Sequence, residues 1–299
     1  MITLEKNKPL ILKIGKFQLY ILNKEAEFES GFLPDRTEQF ALQKEFDDCH
    51  NDIYLVIEKE CLVEQPKDKI VDNTLSGSLR YIMYQINEEQ YLWTQRDFDN
   101  NIGFVYKISD HWCHWRLISK LGGFSSFDDL SYLFAYSILP KRGIMLHGVI
   151  MEWKGNGIIF TAYSGVGKTT HTGIWKEHED VKIINGDRAL CCWENEKWYT
   201  YGCPWCGSSE DCSTDKLPLK AIVILEQSSE NRVEGLPPLL SFLELAKHAF
   251  APDWNSTLMN LAMDAIENII TTIPVLKLSC RPDLGSVEVL KRKMEELII

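Results

Sequence analysis

The residue types in this sequence that could do chemistry are concentrated in one glycine-rich segment. Residues 162–169 read Ala-Tyr-Ser-Gly-Val-Gly-Lys-Thr. Gly165 and Gly167 allow the backbone to turn its N–H groups inward around an anion. Lys168 can reach the terminal phosphates of a nucleotide, and the Thr169 hydroxyl can bind Mg²⁺. The segment therefore predicts a phosphate-binding loop. Its first position is Ala rather than Gly, which leaves a purely structural turn as the alternative.

Two elements must hold such a loop in place, a strand before it and a helix after it. Residues 157–161 are a short apolar run typical of a β-strand, and residues 170–177 are compatible with a helix. A helix that begins near Lys168 would point the positive end of its dipole at the bound anion. Because both flanking elements are of the expected type, the sequence predicts a site for a nucleoside triphosphate.

A carboxylate follows this helix in the sequence. Asp187 lies after the apolar run 181–184. A carboxylate at the end of a strand can hold Mg²⁺ or accept the proton of an attacking hydroxyl. The alternative is a turn aspartate, which is typical of Asn-Gly-Asp sequences. Beside a phosphate-binding loop, the chemical role is favoured. His147 lies in an apolar strand, where a lone histidine is more typical of the protein core.

The composition indicates a globular protein and disfavours two classes of partner. The 299 residues are 45% hydrophobic and 25% charged, and the net charge is −11. An acidic chain without a basic, aromatic-rich run is a poor candidate for nucleic-acid binding. The longest apolar stretch, residues 130–140, is too short to span a bilayer. The N-terminus lacks the apolar core of a secretory signal. We therefore expect no nucleic-acid or membrane partner and a cytoplasmic location.

The cysteines favour a reducing compartment over a disulfide framework. Nine cysteines, an odd number, are scattered along the chain. Cys203 and Cys206 form a Cys-Pro-Trp-Cys motif, but a zinc ribbon needs a second such pair. A thioredoxin-type dithiol would lie at a helix start, whereas the sequence Gly207-Ser208-Ser209 predicts a loop. We therefore interpret the motif as a pair of loop cysteines.

The residue pattern changes near residue 120, which indicates two domains. Residues 1–120 are β-rich and begin with two apolar runs around Gly15-Lys16, which predict a hairpin. Residues 121–299 mix strands and helices, which indicates an α/β domain. Strands are predicted at 144–151, 157–161, 181–184, 190–193, 197–201, 219–225 and 274–279, helices at 130–138, 170–177, 239–250, 256–270 and 286–297, and pocket-forming loops at 203–216 and 228–238.

The run from His147 to Thr169 resembles the kinase core of HPr kinase/phosphorylase. That family carries a His-Gly strand, an acidic residue before a glycine-containing turn, and then Ser-Gly-Val-Gly-Lys-Ser. The sequence is more similar still to the broader group of kinases related to HPr kinase, often found near peptide-modification genes. The segments 202–207, 217–227 and 280–283 fit that group. A more distant similarity is to ATP-dependent phosphoenolpyruvate carboxykinase, whose loop also runs Ser-Gly-x-Gly-Lys-Thr-Thr.

The resemblance implies an α/β fold with a P-loop kinase core of the HPr kinase and phosphoenolpyruvate carboxykinase type, preceded by a β-rich domain. It implies ATP and Mg²⁺ as cofactors, with Mg²⁺ bound by Thr169 and Asp187. It also gives catalytic roles to His147, Lys168 and Asp187. The residues that would hold the phosphates are Ser164, Gly165, Val166, Gly167, Lys168, Thr169 and Thr170.

The chain departs from the resembled family at one catalytic position. Asp187 matches the second of two adjacent aspartates, where this chain has Gly186-Asp187. One carboxylate would then serve both metal and base, or Glu152 or Glu226 would supply the other. The departure also weakens the expectation of the reverse phosphorolysis reaction.

Two further residues that fit the resembled group have alternative roles. Trp205 could line a substrate pocket or simply pack a loop. Arg281 could bind a phosphate or carboxylate in a bidentate manner, or it could form a surface ion pair.

Three functions are compatible with these residues. The first is an ATP-dependent kinase that phosphorylates a Ser or Thr hydroxyl of a peptide or small protein. The second is a non-catalytic nucleotide-binding protein whose β-rich half recognises a peptide by strand addition. A carboxykinase-like lyase is less favoured, because the sequence does not supply the additional metal ligands and the arginine cluster. The acceptor and the oligomeric state do not follow from the sequence.

Overall fold

The computed structural model describes residues 4–24, 33–42, 52–58, 69–75, 79–86, 89–96, 102–109, 112–120, 127–163 and 165–298. The described chain is mixed α/β with two sheets. Its strands are β1 (Pro9–Ile14), β2 (Phe17–Asn23), β3 (Asp52–Ile57), β4 (Lys69–Leu75), β5 (Leu79–Ile86), β6 (Glu89–Arg96), β7 (Ile102–Ser109), β8 (His114–Lys120), β9 (Gly143–His147), β10 (Val149–Trp153), β11 (Asn156–Thr161), β12 (Val181–Asn185), β13 (Arg188–Glu194), β14 (Lys197–Tyr201), β15 (Lys216–Gln227), β16 (Arg232–Gly235) and β17 (Val275–Cys280). Its α-helices are α1 (Leu130–Ile138), α2 (Lys168–His178), α3 (Pro238–His248), α4 (Ser256–Thr272) and α5 (Leu284–Ile298).

The chain divides into two compact units, each built on one sheet. The first unit is Met1–Ser137 with Asp253–Asn255, and the second is Ile138–Pro252 with Ser256–Ile299. The predicted domain division at residue 120 stays a prediction, as does the recognition role given to the β-rich part. Among the described helices, none combines the length and the apolar character that crossing a membrane requires.

The first unit contains an eight-stranded sheet with the strand order β1-β2-β3-β8-β7-β6-β5-β4. The predicted hairpin is confirmed, because β1 and β2 are antiparallel and Gly15 between them has a φ of 64°. The strands β2, β3 and β8 are parallel neighbours. The side chains of Leu12, Leu19 and Leu55 are fully buried. The β-rich part therefore has an apolar core of its own.

The second unit is organised around β15. The first residues of this long strand pair antiparallel with β14, and the rest pairs parallel with β11 on one side and β17 on the other. The full strand order is β12-β10-β11-β15-β14-β13-β9, with β16 joined through β17. The sequence predicts a buried central strand at 219–225, and this prediction is confirmed. Because β11, β15 and β17 are parallel, their C-terminal ends meet at one edge of the sheet.

Two helices cover one face of this sheet. Met151, Ile158 and Phe160 from β10 and β11 belong to a buried cluster that also contains Trp175 of α2 and Leu290 of α5. Alternate strand residues point to the same face, which explains this spacing. The packing of α2 onto this face fixes the position of the glycine-rich loop that joins it to β11.

The prediction of one strand over residues 144–151 is wrong. The chain forms two strands, β9 and β10, which pair with different neighbours. They separate at Gly148, where an added Cβ would lie 2.8 Å from the backbone oxygen of Phe160. The Gly148 N–H donates to the Asp187 carbonyl at 2.9 Å. The break therefore brings His147, the last residue of β9, next to the turn that contains Asp187. The predicted loop at 228–238 is also interrupted by a strand, β16.

Candidate functional site

The glycine-rich loop joins the end of β11 at Thr161 to the start of α2 at Lys168. Gly165 and Gly167 have φ values of 80° and 112°, which L-residues with side chains rarely adopt. Gly167 caps α2 and accepts a hydrogen bond from the N–H of His171 at 2.9 Å. The first N–H groups of a helix have no partner within it, so this end of α2 offers donors to an anion.

Lys168 lies half-buried at the start of α2. Its Nζ donates to the carbonyl oxygen of Ala162 at 2.9 Å, across the loop. Burial lowers the pKa of Lys168, and the charge of Asp187 partly opposes that shift. Thr169 and Thr170 are exposed next to it. Of the predicted phosphate-binding residues, Ser164 lies outside the described part of the chain.

A buried asparagine builds the turn that holds Asp187. The Asn185 side-chain oxygen accepts the N–H of Asp187 at 2.9 Å and the N–H of Arg188 at 2.7 Å. The Asn185 side-chain nitrogen donates to the carbonyls of Cys203 and Trp205 at 2.8 and 3.2 Å. The Asn-Gly-Asp sequence is therefore a turn, which was the alternative to a chemical role. This turn also brings the Asp187 carboxylate close enough to the start of α2 for its charge to act on Lys168.

The structure brings His147 and Asp187 together. The His147 Nε2 lies 3.3 Å from one Asp187 carboxylate oxygen, and the Arg188 guanidinium lies 3.0 Å from the other. Burial alone would raise the pKa of Asp187. The hydrogen bond with His147 and the charges of Arg188, His147 and Lys168 together outweigh it and lower that pKa. Asp187 is therefore an ionised carboxylate among cationic groups, and it is still about a quarter exposed.

Sequence reasoning missed two members of this cluster, Arg188 and His248. The Arg188 guanidinium lies over the Phe250 ring at 4.2 Å. The His248 ring, on the last turn of α3, lies 6.5 Å from the His147 ring and 5.4 Å from the Tyr163 ring. Burial, then the charges of His147 and Lys168, lowers the pKa of His248 to about 4. The only signal for Arg188 was its position next to Asp187, and nothing in the sequence pointed to His248.

A second buried histidine links α2 to α5. The Trp175 indole donates to Nε2 of His171 at 3.1 Å, so the neutral ring carries its proton on Nδ1, which lies 3.3 Å from the Ser286 hydroxyl. That hydroxyl donates to the Asp283 carbonyl at 2.6 Å. Burial lowers the pKa of His171 to about 4.

We expect the protein to lose stability as the pH falls from 6.5 toward 4. His171 and His248 have folded-state pKa values of about 4, below the ordinary value of 6.5. In this window the unfolded chain therefore binds protons that the folded chain does not. Below pH 4, each histidine lowers the free energy of unfolding by up to roughly 3 kcal/mol relative to neutral pH. Urea unfolding at several pH values measures the slope. His248→Phe should flatten it, and an equally steep slope in that variant would contradict the assignment.

The space beside Gly186 is filled by a neighbouring loop. A Cβ at Gly186 would lie 1.7 Å from the Ser209 Oγ and 2.6 Å from the Ser209 Cβ. The Ser209 hydroxyl is held there by donation to the Cys206 carbonyl at 2.9 Å. The absence of a side chain at residue 186 is thus a packing requirement of the loop that contains Ser209.

The two alternative carboxylates, Glu152 and Glu226, lie in different places and have partners of their own. The Glu152 carboxylate accepts the N–H of Gly155 at 2.6 Å in the turn between β10 and β11. Glu152 pairs with Gly157, four residues before the end of β11, so it is about 13 Å from the loop end of the strand. Glu226 lies at the end of β15, where it forms an ion pair with Lys277 at 2.9 Å. Glu226 also lines the cavity beside the glycine-rich loop, so of the two alternatives it is the one that lies near the candidate site.

Gly186→Ala is expected to destabilise the protein by about 3 kcal/mol, because the added methyl group overlaps Ser209. The second change Ser209→Gly removes both side-chain overlaps, so the double variant should recover most of the loss. Gly173→Ala is the matched control, since residue 173 lies inside α2 with no atom close to an added Cβ. The control should be neutral or slightly stabilising. Denaturant unfolding measures all three. Equal stability of Gly186→Ala and the parent would contradict the packing explanation.

A cavity of about 420 Å³ adjoins the loop on the side of β15 and β17. This volume is within the range of small-molecule sites. The Gln227 side-chain nitrogen donates to the Val166 carbonyl at 3.2 Å and connects the loop to the strand end. The lining residues are 165–167, 170, 171, 225–228, 280 and 282.

The two suggested substrate residues lie in different surroundings. Trp205 is 1% exposed, so its side chain packs inside the loop. Arg281 is exposed, and its Nε donates to the Asp283 carboxylate at 2.9 Å. Trp205 thus packs in a loop and Arg281 forms a surface ion pair. The substrate roles of both residues stay predictions.

The Cys-Pro-Trp-Cys motif is buried. Both Cys203 and Cys206 are 0% exposed, and burial raises the pKa of Cys203 to about 12. A thiol with such a pKa stays protonated near neutral pH and is a poor redox nucleophile. Across the part of the chain that the structure describes, no three His, Cys, Asp or Glu side chains are grouped as metal ligands.

Comparison with known proteins gives a structural likeness but no match in sequence. No family model matches the chain, and no curated protein matches it in sequence. Among solved structures, the chain is similar to the Hpr(Ser) kinase/phosphatase from Coxiella burnetii, with 12% sequence identity and a TM-score of 0.28. The match covers 51% of this chain and 93% of that one. At this TM-score the likeness carries no weight for function, which has to be inferred from the site itself.

Proposed function

We propose that this protein is an ATP- and Mg²⁺-dependent kinase that transfers the γ-phosphoryl group to a Ser or Thr hydroxyl of a peptide or small protein. The observation that carries the proposal is the arrangement at the start of α2. The ionised carboxylate of Asp187, paired with His147 at 3.3 Å, interacts with the Lys168 cation that follows the glycine-rich loop. On this proposal the second unit is a P-loop kinase core of the HPr kinase and phosphoenolpyruvate carboxykinase type.

The nucleotide would be held by the loop and the cavity together. The phosphates would accept hydrogen bonds from the N–H groups of residues 165–170 and from Lys168, which would exchange its contact with Ala162 for phosphate. The cavity beside residues 225–228 has the volume to take the nucleoside. The Thr169 hydroxyl and the Asp187 carboxylate are the oxygen ligands that suit Mg²⁺. When bound, this ion would neutralise phosphate charge.

Asp187 would position the acceptor hydroxyl and take its proton. The attacking oxygen forms the new bond to phosphorus, the bond from phosphorus to the ADP oxygen breaks, and the hydroxyl proton moves to an Asp187 oxygen. The cations that keep Asp187 ionised also make it a weak base. Phosphoryl transfer depends mainly on positioning and charge stabilisation, so a weak base suffices. His147 and Arg188, which contact the two carboxylate oxygens, would fix the orientation of the carboxylate.

The proposal is tested by incubating the protein with ATP, Mg²⁺ and synthetic peptides that contain Ser or Thr, followed by mass spectrometry. Gain of one phosphate by a peptide supports it, provided that the gain is lost without Mg²⁺. ATP binding by calorimetry without any phosphate gain would instead favour the second candidate, a non-catalytic nucleotide-binding protein. One observation keeps that candidate in view: residue 186 carries no carboxylate, and Ser209 closes the space beside it.

A further inference from the structure

One helix of the second unit exposes an unusual amount of apolar surface. On α3, Leu239, Leu240 and Leu243 are 69%, 48% and 47% exposed. These three residues are the leucine strip. The same helix buries Leu245 and His248, so it is firmly packed on its other side. A helix normally presents polar residues to water, and clustered exposed leucines indicate a surface that binds something.

The leucine strip leads to the candidate site. Residues 239, 243 and 247 are spaced by four, so they lie along one side of the helix. The hydrogen bond with Glu244, and then the interaction with Tyr163, raises the pKa of Lys247. Tyr163 belongs to the glycine-rich loop and is itself 60% exposed. Because the Tyr163 ring also lies 5.4 Å from the ring of His248 on the same helix, exposed side chains connect the strip with the loop.

The last turn of α3 reaches the chemical groups directly. His248 lies between the rings of Tyr163 and His147, at 5.4 and 6.5 Å. The backbone following the helix is also tied to β9, because the Phe250 N–H donates to the Met145 carbonyl at 2.9 Å. The strip and the His147–Asp187 pair are thus carried by elements that are packed and hydrogen-bonded together.

We propose that the leucine strip is the docking surface for the acceptor peptide, whose apolar side chains bind there while its hydroxyl residue reaches Asp187. The inference rests on the proposed kinase function. A molecule that binds the strip and extends along α3 arrives at the site, as an acceptor must. A second copy of the chain would have no need of a strip that ends there.

The geometry specifies the spacing in the acceptor. Along a helix the rise is about 1.5 Å per residue, so Leu243 and Leu239 lie about 7.5 and 13.5 Å from His248. Adding the 6.5 Å from His248 to His147 gives about 14 and 20 Å. An extended peptide covers about 3.3 Å per residue. The apolar residues of the acceptor should therefore lie roughly four to six positions from the phosphorylated hydroxyl.

The test uses fluorescein-labelled synthetic peptides with one Ser and with Leu at about four to six positions to one side of it. A matched set of peptides has Gln in place of Leu. In each set, one peptide carries these residues on the N-terminal side of Ser and another carries them on the C-terminal side. The protein variants are the double change Leu240→Gln with Leu243→Gln, and Leu284→Gln as control. Leu284 is also an exposed leucine, on α5 and away from the strip. Peptide affinity is measured by anisotropy without nucleotide, and KM and kcat by phosphate gain.

We expect the double variant to weaken the affinity for Leu peptides, and to raise KM, by about tenfold or more. The value of kcat and the ATP affinity should stay within about twofold, and Leu284→Gln should behave like the parent. Equal peptide affinity in parent and double variant would overturn the inference. The inference would also be overturned if light scattering showed a dimer for the parent and a monomer for the double variant, since the strip would then bind a second copy. A parent that binds Leu peptides but phosphorylates none refutes the kinase function alone, because the anisotropy result still decides the docking surface.

Discussion

Asp187→Asn is expected to slow phosphoryl transfer by roughly 100-fold or more, in the range for loss of a general base. The substitution keeps the shape of the side chain but removes its charge and basicity. The affinity for ATP·Mg²⁺ should fall much less than the rate, since Lys168 and the N–H groups of the loop remain in place and the Asn side-chain oxygen can still bind Mg²⁺. Single-turnover phosphorylation of a peptide measures the rate, and calorimetric titration with ATP·Mg²⁺ measures the affinity.

Asp211→Asn is the matched control for this substitution. Asp211 lies in the loop that packs on the same turn, and its carboxylate contacts only Lys176, at 3.5 Å, among the ion pairs of the described residues. The Asp211→Asn variant should phosphorylate the peptide at nearly the parent rate. If Asp187→Asn also kept the parent rate, Asp187 would be only a turn residue and the proposed mechanism would be wrong.

Lys168→Ala is expected to weaken ATP·Mg²⁺ binding by about tenfold to 100-fold, the range for a lost hydrogen bond to a charged group. Its effect on turnover should be at least as large, because the cation also stabilises the charge of the transferring phosphoryl group. Folding should be nearly unchanged, since the side chain gives up one hydrogen bond, to Ala162.

Lys176→Ala separates a local from a general charge effect. Lys176 lies two turns further along α2 and is about half exposed. Its removal subtracts the same charge from the same helix but leaves the loop untouched, so the ATP affinity should stay close to that of the parent. Undiminished affinity in Lys168→Ala would contradict the nucleotide site.

The elements that could be predicted from the sequence are those with a strong local pattern. The hairpin around Gly15, the strand at 219–225 and the helix at 256–270 each have clear turn residues or apolar periodicity, and all are present. β16 does not follow from the sequence because it has one apolar side chain, Val233, and no buried residue. It is a strand only because it pairs with β17. The break at Gly148 depends on the position of Phe160, which the local sequence does not reveal.

The residues of the candidate site also divide into those with a local signal in the sequence and those without one. The glycine-rich loop and Asp187 are visible in the sequence, because their chemistry depends on residue types at short spacing. His147 gained its position beside Asp187 only through the pairing of β9 with β13. His248 comes from a helix about one hundred residues further along the chain, and Ser209 closes the position beside Gly186 from a separate loop. Such neighbours are determined by tertiary packing, which leaves no motif.

The contact between Gly186 and Ser209 restricts how this protein could change over generations. A substitution that introduced a second aspartate at residue 186 would overlap Ser209, and the resulting loss of stability would lower the amount of folded protein. The permissive change Ser209→Gly would have to come first, and by itself it offers no evident advantage. A second aspartate at residue 186 is therefore accessible only through an ordered pair of mutations, with the change at residue 209 first.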